Sequence, residues 1–349
     1  MNGPSVFDFD HDPVERDDRR GVIISPGALG DGVLMLPLAR FMKEAVGLTR
    51  LDFIGHRRYT EFYPGRTCVD VVRDIDSIEF HRLFAGERDF AIEDNDRLVR
   101  AFSGYEWIVS FLGEGNADFE GNLAFTVNCS RSAEVVMLAL GAPPEFAGHI
   151  SEHYVRQFAA SLVDAPLLSS PDERIPLVQA LRGDIDDGRA ILERVGIRHG
   201  QRVAVIHPGS GGAHKCWPVE NFCRLAGDLG RRSAETVFVL GPAEEERLAP
   251  DARERLGSAG TCVSGTSVVE VLQIIACADV FVGNDSGVTH LAAAMGTPTV
   301  AVFGPSDPIR YRPLGPRVTV VLDRTAQFAS PGAESAHKVL QAVDRCVRI

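Results

Sequence analysis

Residues 280–303 read VFVGNDSGVTHLAAAMGTPTVAVF. The β-branched run Val280–Val282 gives way to the polar loop Gly283-Asn284-Asp285-Ser286. A helical stretch, Val288–Met295, follows, and a second apolar strand, Thr299–Phe303, begins after Gly296-Thr297-Pro298. Strand, loop, helix and strand in so few residues argue for α/β architecture with parallel sheets. The pattern extends upstream. Ser267 with Glu270 three residues on forms a capping box ahead of a helix over Val268–Cys277, and Thr236–Leu240 is a strand. Arg202–Ile206 (RVAVI) is another strand, followed by the Gly-rich loop His207–Lys215. Pro218 then opens a helix whose stripe is Phe222, Leu225, Ala226 and Leu229, and Gly230 ends it.

A looser copy of the same plan precedes this unit. Gly21–Ser25 (GVIIS) is a strand and Pro26–Gly32 a loop. Leu34, Leu38, Phe41, Met42 and Ala45 then recur on one face of a single helix. Leu51–Ile54 and Trp107–Phe111 are further strands, while 74–104 is charged and weakly patterned and receives no assignment. The Pro/Ser-rich stretch Asp164–Ile175 reads as the linker. The expected organisation is an acidic tail over 1–20, one Rossmann-like doubly wound domain over 21–172 and a second over 173–349. The two domains face a central cleft, and the last helix is expected to pack back on the first domain.

Composition limits the partners. The chain has 349 residues with 45% hydrophobic, 24% charged and a formal net charge of -12, an ordinary globular balance without a basic footprint for nucleic acid. Seven cysteines, at 68, 129, 216, 223, 262, 277 and 346, form no C-x-x-C and match no zinc module, so they read as reduced thiols. No apolar run is long enough to span a membrane. The first twenty residues carry six acids and three arginines without an apolar segment, so they are not a secretory signal, and a cytoplasmic location is expected.

Three segments carry candidate chemistry. In Gly27-Ala28-Leu29-Gly30-Asp31-Gly32 the spacing is not that of a dinucleotide fingerprint. Asp31 reads as an N-cap in a tight turn, or as a general base, since it lies at the carboxyl end of a first strand, where α/β folds bind ligands. The second segment, His207-Pro208-Gly209-Ser210-Gly211-Gly212-Ala213-His214-Lys215-Cys216-Trp217-Pro218, is not a Walker A loop. Its glycines, Ser210 and Lys215 suit a phosphate-bearing ligand; a surface loop, or a zinc site from His207, His214 and Cys216, are the alternatives. In the third, Gly283 to His290, the backbone N–H groups of Ser286, Gly287 and Val288 begin a helix whose dipole favours a diphosphate. The plainer alternative is that Asp285 or Ser286 only caps the helix and that His290 only packs.

Together, in this order, these motifs resemble glycosyltransferase family 9, the ADP-heptose:lipopolysaccharide heptosyltransferase family. Gly27-Ala28-Leu29-Gly30-Asp31 with Leu36-Pro37 matches the family's opening motif. His207-Pro208-Gly209 and Lys215-Cys216-Trp217-Pro218 match its middle signature, and Gly283 to Pro298 matches its G-N-D-S-G-x-x-H-L-A-A-A-x-G-T-P signature throughout. The likeness continues through Phe303-Gly304-Pro305-Ser306-Asp307-Pro308 and covers roughly residues 20–325. It implies a GT-B fold and an inverting, metal-independent transfer without a cofactor, the donor being a nucleotide sugar such as ADP-heptose. By the same resemblance Asp31 is the general base, with Lys215 on the donor diphosphate. Asp285, Ser286, Gly287 and His290 match the family's donor-binding turn, and Ser210, Gly211 and Val288, from the loop and helix-start chemistry above, are further candidate donor contacts. Glu244 lies near the ribose, with its register open among Glu244, Glu245 and Glu246. Base and diphosphate site come from different halves, so catalysis requires cleft closure.

The acceptor is expected to be an anionic glycolipid or glycan reached at the inner face of the inner membrane, with peripheral membrane contact through that acceptor. Gly30, Arg57 and Arg58 are its candidate contacts, with Arg66 completing a basic patch around His56 and Tyr59. Two rival readings are a catalytically silent nucleotide-sugar-binding protein and an epimerase or hydrolase on the same scaffold. Asp8-Phe9-Asp10, Asp74-Ile75-Asp76 and Asp184-Ile185-Asp186 spell an Asp-x-Asp metal motif but lie in the tail or in weakly patterned stretches, so they read as chance and no metal site is assigned.

Overall fold

Val22, Ile23 and Ile24 are all fully buried, and alternate residues enter different apolar clusters: Val22 and Ile24 pack on one face of their sheet and Ile23 on the other. Strands buried on both faces are the mark of parallel sheets covered by helices. A computed structural model describes residues 18–86, 88–130, 132–163, 174–323 and 333–347 and shows two such sheets. The first contains β1 (Arg20–Ile24), β2 (Arg50–Gly55), β3 (Val71–Asp74), β4 (Trp107–Ser110) and β5 (Glu134–Met137), in the order β3-β2-β1-β4-β5. The second contains β6 (Arg202–His207), β7 (Ala234–Leu240), β8 (Thr261–Ser264), β9 (Val280–Asn284), β10 (Thr299–Phe303) and β11 (Val318–Leu322), in the order β11-β10-β9-β6-β7-β8. Every pairing is parallel. Both orders are doubly wound, with a topological switch point between β1 and β4 in one sheet and between β6 and β9 in the other.

The first sheet carries α1 (Leu29–Leu34), α2 (Leu36–Ala45), α3 (Arg57–Thr60), α4 (Arg97–Phe102), α5 (Ala117–Asn128) and α6 (Ile150–Ala159). Around the second lie α7 (Arg182–Arg194), α8 (Val219–Gly230), α9 (Pro242–Arg247), α10 (Pro250–Ala259), α11 (Val268–Ala276), α12 (Gly287–Ala294), α13 (Pro308–Tyr311) and α14 (Ala333–Cys346). The expected stripe of α8 is buried at all four positions. Each large apolar side chain removed from water there contributes about 1.5–3 kcal/mol. One cluster runs unbroken from Ile23, Val33 and Leu38 of the first half to Val205, Ile274 and Leu291 of the second, so the halves share an apolar interior.

Several expectations change. The loop after β1 is shorter than Pro26–Gly32, because α1 begins at Leu29, and the single expected helix is broken at Met35. Pro218 is the N-cap of α8 and not its first residue. The unassigned 74–104 stretch holds the end of β3, two 3₁₀ turns at Ile75–Ser77 and Phe80–Phe84, and α4. Arg20, placed in the tail, already pairs with Arg50 in the sheet. The rest of the acidic tail before Asp18 lies outside the described residues, as do 164–173 of the linker and the 172/173 boundary. Among the described residues the last helix packs mainly on α8, β10 and β11 of the second sheet, where it joins that sheet's apolar cluster, instead of mainly on the first as expected. All seven cysteines are free thiols.

Candidate active site

Ligands of open α/β sheets bind outside the carboxyl ends of strands at the switch point. In the second half the two loops at that point are stitched together by Asn284, the last residue of β9. Its Oδ1 accepts from Trp217 N (3.0 Å) and its Nδ2 donates to Pro208 O (2.7 Å). Ser210 Oγ donates to Asp285 O at 2.6 Å, tying the loop after β6 to the turn before α12. Arg247 steadies the same loop from α9, donating to Gly211 O at 3.2 Å. Gly209 has no room for a side chain, since an added Cβ would fall 1.8 Å from Glu244 Oε1. Glu244 is buried, faces this loop, and accepts from Gly241 N at 2.9 Å. Glu245 instead accepts from Gly265 N (3.0 Å) and Glu246 is exposed, so Glu244 is the one of the three beside the H-P-G segment.

Lys215, at the end of a one-turn 3₁₀ helix, places Nζ 2.9 Å from Asp285 Oδ2. Asp285 is 8% exposed, and His290 Nε2 lies 3.6 Å from its Oδ1. Burial opposes ionisation of this carboxyl. The His290 ring, the Ser306 hydroxyl and the Lys215 ammonium outweigh that and hold it well below the usual carboxylate range. The N-cap of α12 is Ser286, whose Oγ accepts from Thr289 N at 3.3 Å. Capping therefore belongs to Ser286, and Asp285 serves to hold Lys215. Gly287 and Val288 open α12, where backbone N–H groups lack intrahelical acceptors. His290 Nδ1 is buried without a hydrogen-bond partner.

The first half meets this turn directly. A Cβ on Gly287 would lie 2.9 Å from Gly30 N, and one on Gly30 would lie 3.3 Å from both Gly287 Cα and His290 Cδ2. Gly287 leaves no room for a side chain against the Gly30 backbone and Gly30 leaves little, which lets two helix starts from separate sheets approach this closely. Asp31, the next residue, is exposed, and its Oδ2 accepts from Ala28 N at 2.9 Å. It caps α1 from the third helical position and not from the N-cap as expected, so its outer face is free toward solvent. Beneath it, Gly32 leaves space for the buried Tyr63 hydroxyl, which would sit 2.4 Å from an added Cβ. Tyr63 carries no motif that sequence reading could have flagged.

Arg57 and Arg58 are exposed on α3, and Arg58 stacks 4.6 Å over the Tyr59 ring. Arg66 leaves the expected patch. It forms a bidentate pair with Asp184 of α7 (2.7 and 2.6 Å), joining the two halves. Asp184 is only 2% exposed; burial opposes its ionisation, but Arg66 and Leu181 N–H keep its carboxyl below the ordinary range. On the opposite flank Arg310 donates to Phe146 O (2.8 Å), and His149 Nε2 lies 2.9 Å from Arg312 O.

Residues 152–339 match the model of glycosyltransferase family 9 (heptosyltransferase), more than half of the chain. The chain belongs to glycosyltransferase family 9. Within the family it is 30% identical over 129 residues to lipopolysaccharide heptosyltransferase 3 of Escherichia coli K12, which is 36% of this chain and 37% of that one. It is 30% identical over 114 residues to lipooligosaccharide heptosyltransferase 2 of Campylobacter jejuni, 32% and 36% of the two chains. The alignments thus span little more than a third of these curated relatives. The solved family 9 glycosyltransferase of Veillonella parvula superposes with a TM-score of 0.71 at 15% identity, over 94% of this chain and 97% of that one. E. coli ADP-heptose lps heptosyltransferase II gives 0.68 at 17% identity, over 94% and 98%. At such identities these likenesses establish the fold, which is GT-B. Among the described residues no helix is long and apolar enough to cross a membrane.

Proposed function

We propose that this protein is an inverting glycosyltransferase that moves a heptose from a nucleoside-diphosphate sugar to a hydroxyl of an anionic, lipopolysaccharide-type acceptor. The observation that supports this most is the meeting of Gly30 with Gly287. It brings a carboxylate on one helix start close to a second helix start that carries an unpartnered buried imidazole nitrogen and is flanked by Lys215 through Asp285. In the proposed step Asp31 takes the proton of the acceptor hydroxyl as its oxygen attacks the anomeric carbon. The bond to the diphosphate breaks on the opposite face, and its electron pair leaves on the phosphate oxygen. Lys215 and the α12 N–H groups stabilise that departing charge, so no metal is needed there. Asp285 keeps the ammonium in place before the donor arrives. Ser210, Gly211, Ser286, Gly287, Val288 and His290 line the donor side, and Glu244 is the acid nearest the ribose. Arg57 and Arg58, exposed on α3, are the proposed contacts for an acceptor phosphate at the cytoplasmic membrane face.

Calorimetric titration of the whole chain with nucleoside diphosphates tests the donor side. ADP is expected to bind more tightly than UDP or GDP. Equal or stronger UDP binding would remove the enzyme from the heptosyl branch. Donor hydrolysed or epimerised without acceptor would overturn transfer itself.

A further inference from the structure

We propose that His56, Asp74 and Asp76 bind one divalent first-row transition-metal ion, at a site on the first sheet separate from the diphosphate machinery. His56 immediately follows β2 and Asp74 ends β3; Gly55 is the register partner of Asp74, so the two side chains leave adjacent strands at the same carboxyl edge. Asp76 arrives through a single 3₁₀ turn. Asp74 Oδ1 accepts from Asp76 N (3.2 Å), Ser77 Oγ donates to Asp74 O (2.6 Å), and buried Ile75 anchors the turn in the apolar cluster beneath. On the other side, Tyr59 N donates to the His56 carbonyl at 2.9 Å and Thr60 Oγ1 at 3.2 Å. All three donor groups therefore stand on fixed backbone.

One ligand atom from each residue lies within 4.8 Å of the other two. His56 Nδ1 and Asp76 Oδ2 are 3.6 Å apart, too far for a hydrogen bond of about 2.7–3.2 Å. Two ligands each about 2.0–2.2 Å from a shared ion stand roughly 3–4 Å apart, which fits this gap. Electrostatics points the same way. Among the described residues no lysine or arginine forms an ion pair with Asp74 or Asp76, and the one ring within ion-pair reach of Asp76 is that of His56. A dication would supply the positive charge that neither carboxylate receives from a lysine or arginine. One imidazole with two carboxylates and no thiolate suits Zn²⁺, Mn²⁺ or Fe²⁺, whereas Ca²⁺ and Mg²⁺ prefer oxygen alone. Three protein ligands leave positions open to water or to an anionic oxygen, and Arg57 and Arg58 begin the helix directly after His56. The Asp74-Ile75-Asp76 spelling thus gains from the fold the histidine it lacked in sequence.

Untagged full-length protein, stripped by chelator and dialysed, is titrated with Zn²⁺ by calorimetry and with Mn²⁺ by electron paramagnetic resonance. One ion per chain is expected. His56→Gln and Asp76→Asn should each weaken it by at least about tenfold to a hundredfold, while Asp89→Asn, exposed and outside the three-residue cluster, leaves it unchanged. Asp76 is exposed, so its variant is expected to melt with the parent protein and to bind ADP equally. Absence of stoichiometric binding, or binding undiminished in both ligand variants, would overturn the site. ADP titration reports separately on the transferase reading, so either can fail alone.

Discussion

Replacing Asp31 by asparagine separates the two duties this side chain can perform. Its structural duty is the single bond from Ala28 N–H to Oδ2, 2.9 Å long, at the start of a six-residue helix whose N-cap, Ala28, has no side-chain acceptor. The asparagine carbonyl can accept the same bond, so only the charge at the helix start is lost, about 0.3–1 kcal/mol. That lowers the melting temperature by about 1–4 °C. Its proposed chemical duty is to hold a proton, which asparagine cannot do. Turnover should therefore fall by on the order of 10²–10⁴, equivalent to about 2.7–5.4 kcal/mol of barrier. The chemical loss exceeds the structural one several-fold. ADP affinity should be nearly unchanged, because Asp31 belongs to the first half and the proposed diphosphate site to the second. ADP release during heptosyl transfer, a thermal melt and a calorimetric titration read these three quantities on one preparation. An Asp31→Asn enzyme that transfers at close to the parent rate refutes the base assignment. So does one whose loss of rate is matched by its loss of ADP binding.

Lys215→Ala should weaken ADP binding and slow turnover together, since it removes the ammonium and leaves Asp285 buried without it; unchanged ADP affinity would place the diphosphate elsewhere. Transfer at saturating acceptor should survive EDTA, and loss on chelation restored by Mg²⁺ would show that leaving-group charge is carried by a cation. The Asp184 carboxyl is held below its unfolded range, so below about pH 4 the unfolded chain binds more protons and the pair's stabilisation is lost as pH falls through the folded value. Asp184→Asn should therefore melt well below the parent at pH 7, with the gap narrowing in acid; a gap constant with pH would show that the pair contributes no linkage.

The central strands and the Gly283–His290 turn were legible as structure because the strands are buried on both faces and the turn carries a dense motif. Val280–Val282, Thr299–Phe303 and the Ser267–Glu270 capping box appear as expected, with boundaries shifted by a residue or two. The edge strands were not. Val71–Asp74 and Glu134–Met137 are only half-buried and mix charge with apolar residues, so their pattern is diluted. Asp31 was legible as a residue but not as an N3 cap, because the helix starts earlier than its apolar stripe. Arg66 and Asp184 lie 118 residues apart, and nothing local to either marks the partner. The same holds for His56 beside Asp74, which only strand register joins.

The apolar cluster that passes without a break from Ile23 and Leu38 to Ile274 and Leu291 bears on inheritance. An enzyme whose donor and acceptor halves were independent could change one specificity by exchanging half its gene. Here a transplanted second half would meet a foreign partner at Val33, Leu34 and Leu36, and at the glycine pair where even one methyl group collides with backbone. Recombinants joined between α6 and α7 should accumulate as insoluble or proteolysed chains unless α1 and α2 travel with α12. Change in this protein is therefore expected to be tolerated best in loops away from the Gly30–Gly287 contact, where side chains can vary without disturbing the surface on which the two halves recognise each other.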